Sequence, residues 1–394
     1  MAERRAPAVS RRGLLASGVA ALGGAGLAVG GTRLVDRAAP DASPPGPRRH
    51  PFHGHRQAGV TTPPQAFAAF VAFDLRPSVD RDALRRLMTI WTDDASRLTR
   101  GRPGLTDTEP ELAADPANLT ITVGYGPDVF TAAGLRDRRP RWLRPLPAFR
   151  VDRLDDSWSH GDLVIQVCAD DELAVAHAVR LLVKEARAFV TVRWRQSGFR
   201  GGGSGTSMRN LMGQVDGTHN PAAGDDALVW ADGTDWLADG TSMVVRRIAM
   251  DLDTWDELDR SGREQAVGRR LADGAPLTGR HEHDEPDLDA TDDVGLPVIA
   301  PFAHIHRARS GDDAQRFLRR PYNYDDPPPP GELSNSGLVF VAFQADVDRQ
   351  FVPIQRRLAD LDLLNEWTTP IGSAVFAVPP GCAEGSYLGA ALLD

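Results

Sequence analysis

Phe67-Ala68-Ala69-Phe70-Val71-Ala72-Phe73-Asp74-Leu75 is a dense apolar run of strand length, and the fold turns on it. Its centre, Phe70-Val71-Ala72-Phe73, returns as Phe340-Val341-Ala342-Phe343. Arg85-Arg86-Leu87, downstream of the first copy, returns as Arg356-Arg357-Leu358 downstream of the second. The pattern reads as an internal duplication at low identity, each copy a strand followed by an amphipathic helix.

Working outward from the first copy, Asp80 stands where it can cap a helix whose Leu84, Leu87, Met88 and Trp91 fall on one face. Residues 119–125 alternate like a strand and 163–167 form another. Val175, Val179, Leu182, Val183 and Ala186 stripe a second helix, capped by Asp170 or Asp171, and 190–194 closes the half. In the second half, 243–248 reads as a strand, 255–270 as a helix and 374–378 as a late strand. Strands interleaved with helices in two similar halves predict an α+β chain of two sandwiches side by side.

Ser10-Arg11-Arg12-Gly13-Leu14-Leu15 is a twin-arginine pattern ahead of the apolar run 14–29, and it reads as an export signal rather than as fold. The run is shorter than the roughly 20 apolar residues of a spanning helix and is rich in glycine, so stable membrane insertion is not expected. An uncleaved anchor is the alternative, because Ala38-Ala39-Pro40 is an ambiguous cleavage site. The expected organisation is a signal over 1–40, an extended arm or linker over 41–66, an N-terminal half over 67–205 and a C-terminal half over 206–394. Such a chain would end up extracellular, periplasmic or associated with the cell envelope. A net charge of −9 argues against nucleic acid or an acidic membrane surface as a partner. Cys168 in a strand and Cys382 in a glycine-rich turn imply no disulfide framework, and one bridge or two free thiols both stay open.

Three stretches carry the chemistry: Gly213-Gln214-Val215-Asp216-Gly217-Thr218, Ala303-His304-Ile305-His306-Arg307, and Leu318-Arg319-Arg320-Pro321-Tyr322-Asn323-Tyr324. In this order they resemble the signature of the dye-decolorizing peroxidase family: a Gly-x-x-Asp-Gly turn, a His-Ile-Arg-like segment and an Arg-Arg-x-Tyr-Asn-Tyr-like segment. The twin-arginine-exported branch, which includes periplasmic iron-uptake peroxidases, is similar. The resemblance implies two ferredoxin-like halves of the dimeric α/β-barrel type, with one haem b per chain bound mainly by the C-terminal half. It implies hydrogen peroxide as oxidant and a small dye-like or phenolic reductant. His304 would be the proximal iron ligand, Asp216 the distal base and Arg319 the distal cation. Gly217, Thr218, His219, Arg270 and Arg309 would lie along the porphyrin edge and its propionates, Arg269 and Arg270 together resembling a Gly-Arg segment there, with Arg307 an alternative to Arg309. Iron release from haem, or haem carriage, is the alternative function, and partners in iron or copper handling and the oligomeric state stay open.

The residue types suit those roles. Haem iron takes an axial imidazole, and Phe302, Ala303 and Ile305 would keep His304 dry. If the segment is extended, His306 faces the same side. A ligating imidazole usually donates its other N–H to a carboxylate, for which Glu282, Asp284, Glu285, Asp287 and Asp289 are candidates. Peroxide must lose a proton and then part with a negatively charged oxygen, which calls for a base and a cation. A carboxylate base, with a reference pKa of about 3.9 against roughly 6.5 for histidine, predicts activity that favours acidic pH. Pairs at His53/His55, His281/His283 and His304/His306 suggest a copper oxidase, but neither cysteine has the adjacent histidine such an enzyme needs. Trp194, Trp230, Trp236, Tyr322, Tyr324 and Tyr387 are candidates for relaying electrons to large donors, and each is also an ordinary packing aromatic.

Overall fold

The computed structural model describes residues 49–201, 207–222 and 224–394. The export signal and the boundary between residues 205 and 206 lie outside the described residues.

The first half runs β1 (Phe67–Leu75), α1 (Arg81–Leu98), β2 (Thr120–Tyr125), β3 (Leu163–Ala169), α2 (Glu172–Ala186) and β4 (Val190–Phe199). Its strands pair in the order β2-β3-β1-β4, all antiparallel. The second half carries β5 (Thr241–Met250), α3 (Arg260–Val267), α4 (His304–Ala308), β6 (Tyr322–Asp325), β7 (Ser336–Gln344), α5 (Phe351–Leu361) and β8 (Thr368–Val378). Its order is β6-β7-β5-β8, so both halves have the ferredoxin-like arrangement. They join edge to edge through Phe199↔Asn323 and Ala377↔Tyr125, which closes the sheet into a ring. A two-residue strand, Leu318–Arg319, lies beside β7 as the ninth member of that sheet.

Alternate residues of the strands fill the ring: Phe70 and Ala72 of β1 meet Tyr322, Val341, Phe343 and Phe376 there. The other set on β1, Ala69, Val71 and Phe73, packs beneath α1 and α2. A strand buried on both faces has no reason to alternate, which is why β1 and β7 share an unbroken Phe-Val-Ala-Phe. The echo corrects itself in one respect. β1 is the first strand of its half and β7 the third of its own, so the motif pairs two central strands that are not topological counterparts. The counterpart of β1 is β5, whose buried Arg246 and Arg247 interrupt the apolar run.

Helix starts follow the expected chemistry. Asp80 accepts from the Ala83 N–H at 2.8 Å and Asp171 from the Leu173 N–H at 3.2 Å, while Asp170 holds the Ala66 N–H at 3.1 Å instead. The helix expected over 255–270 is two, Leu252–Asp256 and α3. Asp259 breaks it by capping α3 through the Gly262 N–H (2.7 Å), and Arg269 and Arg270 lie past its end. Strands β4 and β8 extend to Phe199 and back to Thr368, beyond their apolar cores. Residues 49–66 have neither helix nor strand but are pinned down: Gln57 donates to the carbonyls of Val123 (3.0 Å) and Pro379 (2.9 Å), and Gln65 to that of Asn118 (2.7 Å). Both cysteines are buried free thiols. Among the described residues no helix is long and apolar enough to cross a membrane.

Candidate active site

A cavity of about 500 Å³ opens in the second half, and its lining is drawn from residues between 214 and 358. Asp216 reaches it from a two-residue strand, Val215–Asp216, paired with Met208–Arg209. The turn that follows needs glycine for its conformation: Gly217 has φ +101°, and the nearest atom to an added Cβ would be 4.0 Å away. Arg319 comes from the short strand beside β7, and its Nη1 donates to Asp216 Oδ1 at 3.1 Å. The two side chains are 23% and 14% exposed, so base and cation form a half-sheltered pair at the wall. The neighbouring Arg320 points the other way, as alternation along a strand requires. It is buried and donates to the Thr62 carbonyl and to Gln65 Oε1, which ties residues 62–65 to the sheet.

His304 opens α4, with Ala303 as its N-cap. Its Nδ1 hydrogen-bonds Asp362 Oδ2 at 2.6 Å, a carboxylate outside the acidic run expected to supply it. Asp362 is itself held, since its Oδ1 accepts from the Leu364 N–H at 3.0 Å. The adjacent Leu363 N–H donates to the Phe302 carbonyl at 3.0 Å. Reciprocal arginines lace α4 to α5: Arg307 Nε donates to Arg357 O (3.1 Å), and Arg357 donates to Arg307 O (3.2 Å) and Arg309 O (2.8 Å). Burial disfavours a charged His304, but the Asp362 carboxylate outweighs it, and the pKa is raised above the ordinary value. With Nδ1 taken, Nε2 is the nitrogen left for a ligand in the cavity. The segment is helical rather than extended, so the condition under which His306 would face the same side as His304 is not met, yet both residues line the cavity. His306 Nδ1 is buried without a hydrogen-bond partner, and only His304 has a carboxylate behind it.

Gly217, Thr218, His219 and Arg309 all line the cavity, and Arg270 does not. Arg270 folds back on Asp273 and the carbonyls of Gly279 and Arg280, while its neighbour Arg269 takes the wall, fixed by the carbonyls of Gly274 (2.7 Å) and Glu282 (2.8 Å). Residue 269 sits in an isolated antiparallel bridge with Pro276, where successive side chains diverge. The Thr218 hydroxyl donates to Glu282 Oε1 at 2.9 Å, so its proton is not free for a carboxylate ligand. Arg309 pairs with Glu285 and lies 3.5 Å from His219 Nδ1. Partial desolvation, then the Arg309 cation, lower the His219 pKa. Of the acidic run, Glu282 and Glu285 thus serve residues of the cavity, while Asp284 and Asp287 accept from backbone N–H groups of their own loop. Arg307 is spent on Arg357, which leaves Arg309 as the cation of that pair at the cavity.

The walls are apolar, with Val267, Ile305, Phe317, Phe340, Ile354 and Leu358, whereas Arg269, Arg309, Arg316 and Arg357 supply positive charge. Such a slot suits a flat apolar ring bearing carboxylates, and its volume lies within the roughly 300–1,000 Å³ of cofactor sites. A free imidazole nitrogen backed by a carboxylate suits the metal of such a ring. The residues present therefore fit a haem. Asp362 is the partner of His304 that sequence reasoning missed; it is 58 positions away and carries no motif of its own.

Comparison with known proteins gives matches along almost the whole described chain. Residues 57–200 match the family model for the Dyp-type peroxidase N-terminal part, and residues 207–383 the one for its C-terminal part. The chain is similar to the dye-decolorizing peroxidase of Thermobifida fusca (strain YX), at 38% identity over 98% of this chain and 97% of that protein. It is similar also to the deferrochelatase of Escherichia coli (strain K12), at 34% identity over 93% of this chain and 94% of that one. Among solved structures, the DyP-type peroxidase from Cellulomonas bogoriensis superposes with a TM-score of 0.87 at 59% identity, covering 89% of this chain and 99% of that one.

Proposed function

The chain belongs to the Dyp-type peroxidase family, and from this premise we propose that it reduces hydrogen peroxide at the expense of small dye-like or phenolic donors, with His304, Asp216 and Arg319 as the working side chains. The enzyme is an oxidoreductase and haem is its cofactor. One observation carries the assignment of roles: three side chains, up to 103 positions apart, line one cavity, with the base and cation in contact and the imidazole braced by a buried carboxylate.

His304 would hold the iron through Nε2, and Arg269 and Arg309 would meet the propionates. When bound, haem supplies the metal centre for peroxide and the capacity to store oxidising equivalents. Asp216 accepts one proton from peroxide at a carboxylate oxygen and returns it to the departing oxygen. The Arg319 guanidinium stabilises the charge that builds there as the O–O bond breaks. Two electrons and the balancing protons from the donor complete the conversion to two waters. Asp362 keeps the His304 Nδ1 proton in place and its ring oriented throughout.

The test is the rate at which the haem absorbance of the loaded protein responds to peroxide. Asp216→Asn should retain haem and lower the second-order rate by about 10²–10⁴-fold, Arg319→Ala should lower it by about 10²–10³-fold, and His304→Ala should abolish the ligated-haem spectrum. Wild-type rates in either of the first two would move the roles elsewhere.

The similarity to deferrochelatase favours a second reading, release of iron from haem. Recovery of fluorescent metal-free porphyrin after incubation with haem would support it, and intact haem with continued peroxide turnover would not. The twin-arginine stretch Ser10-Arg11-Arg12 supports export to the periplasm, envelope or medium, which fusion of residues 1–40 to a reporter would test.

A further inference from the structure

We propose that Asn220 is the positioning residue that holds Arg319 against Asp216; the inference rests on the role given to Arg319 above.

The strand Leu318–Arg319 touches β7 along one edge only, with Arg319 opposite Ala342. In this register the ladder hydrogen bond belongs to the next residue, whose N–H donates to the Val341 carbonyl at 2.8 Å. The peptide groups of Arg319 itself therefore point away from the sheet, onto a free edge. A side chain occupies that edge in place of another strand. Asn220 Oδ1 accepts from the Arg319 N–H at 3.0 Å, and Asn220 Nδ2 donates to the Arg319 carbonyl at 2.8 Å. A neutral carboxamide offers a donor and an acceptor side by side, as a backbone peptide does, and an ionised carboxylate can only accept.

Asn220 lies four positions beyond Asp216 in the same turn, and its own N–H donates to the Gly217 carbonyl at 3.2 Å. The contacts close a loop. Asp216 holds the tip of Arg319 at 3.1 Å and Asn220 holds its backbone, so the turn that carries the base also fixes the root of the cation. A long, rotamer-rich side chain is most precise when both ends are tethered to one rigid piece. Asn220 does not line the cavity, so it touches none of the reacting atoms.

Three measurements test this on haem-loaded and haem-free protein. Amide hydrogen exchange at Arg319, read by mass spectrometry on the haem-free protein, should quicken at least tenfold in Asn220→Ala. It should stay near wild type in Asn220→Asp, which keeps the acceptor. In the loaded protein, Asn220→Ala should lower the peroxide rate and weaken cyanide binding at least tenfold, with haem stoichiometry and the donor-oxidation step unchanged. Combined with Arg319→Ala, it should add less than about twofold, since residues that act through one another are not additive. If Arg319→Ala has no effect, the role of Arg319 fails. If Arg319→Ala acts but Asn220→Ala leaves exchange, cyanide affinity and peroxide rate within twofold of wild type, or the two losses multiply, the positioning role of Asn220 is wrong. Should Asn220→Ala fail to fold, Asn220→Asp still decides: unprotected exchange at Arg319 in that variant overturns the contact.

Discussion

Asp362 accepts from His304 Nδ1 at 2.6 Å and is almost wholly buried, with 4% of its side chain exposed. A carboxylate in that place makes the imidazole a stronger donor through its other nitrogen and fixes its tautomer, effects worth about 10–100-fold in metal affinity or activity. Asp362→Asn keeps the oxygen that caps the Leu364 N–H but removes the charge. Haem should then be held about 10–100-fold less tightly, and the reduction potential of the iron should rise; a potentiometric titration with an unchanged midpoint would rule the effect out. His304, Asp216 and Arg319 could be picked as candidates because each sits in a short local pattern, and the structure brings all three to one cavity. Asp362 was not, since its pairing depends on where α5 ends in space. Which of Arg269 and Arg270 lines the cavity likewise hung on the backbone past the end of α3, where residue 269 bridges Pro276.

At the scale of elements, successive arginines on one edge strand do different work. Arg320 faces inward and is 1% exposed. Arg320→Leu strands the Thr62 carbonyl and Gln65 Oε1, at about 1–3 kcal/mol for each stranded acceptor, and should lower the denaturation midpoint. Arg319→Leu should act on the peroxide reaction instead; equal midpoints for wild type and Arg320→Leu would show that residues 62–65 are not held by that contact. Helix α1 carries a second testable group. Asp94 lies on its buried face, and desolvation raises its pKa to about 6, against the lowering effect of a hydrogen bond from the Leu105 backbone. The folded state thus binds a proton between about pH 3.9, the unfolded value, and about pH 6. Its contribution to stability falls as pH rises through that window and is level above it. Asp94→Asn removes this dependence, so the variant should gain on wild type between pH 4 and pH 6. Denaturation midpoints that run parallel over pH 4–8 would contradict the burial argument.

At the scale of the two halves, the ring closure puts the strands of both into one sheet, which predicts that they unfold together. At the seam between β4 and β6, an added Cβ on Gly198 would lie 2.7 Å from Tyr322 Cβ and 3.1 Å from the Asn323 carbonyl oxygen. Gly198→Val should therefore destabilise by about 1–3 kcal/mol through overpacking. Calorimetry should still show one transition for wild type, with calorimetric and van't Hoff enthalpies equal; two separate transitions would mean that the halves unfold independently. The amino-acid order alone marked most strands of the main sheet, the Asp80 cap and the three motif residues as candidates, because those depend on periodicity and on groups a few positions apart. Tertiary structure alone decided that β1 answers to β5 rather than β7, that α4 is helical, and which carboxylate braces His304. Those outcomes depend on which distant backbones come to lie side by side, and a hydrogen bond across 58 residues leaves no periodic trace in the chain.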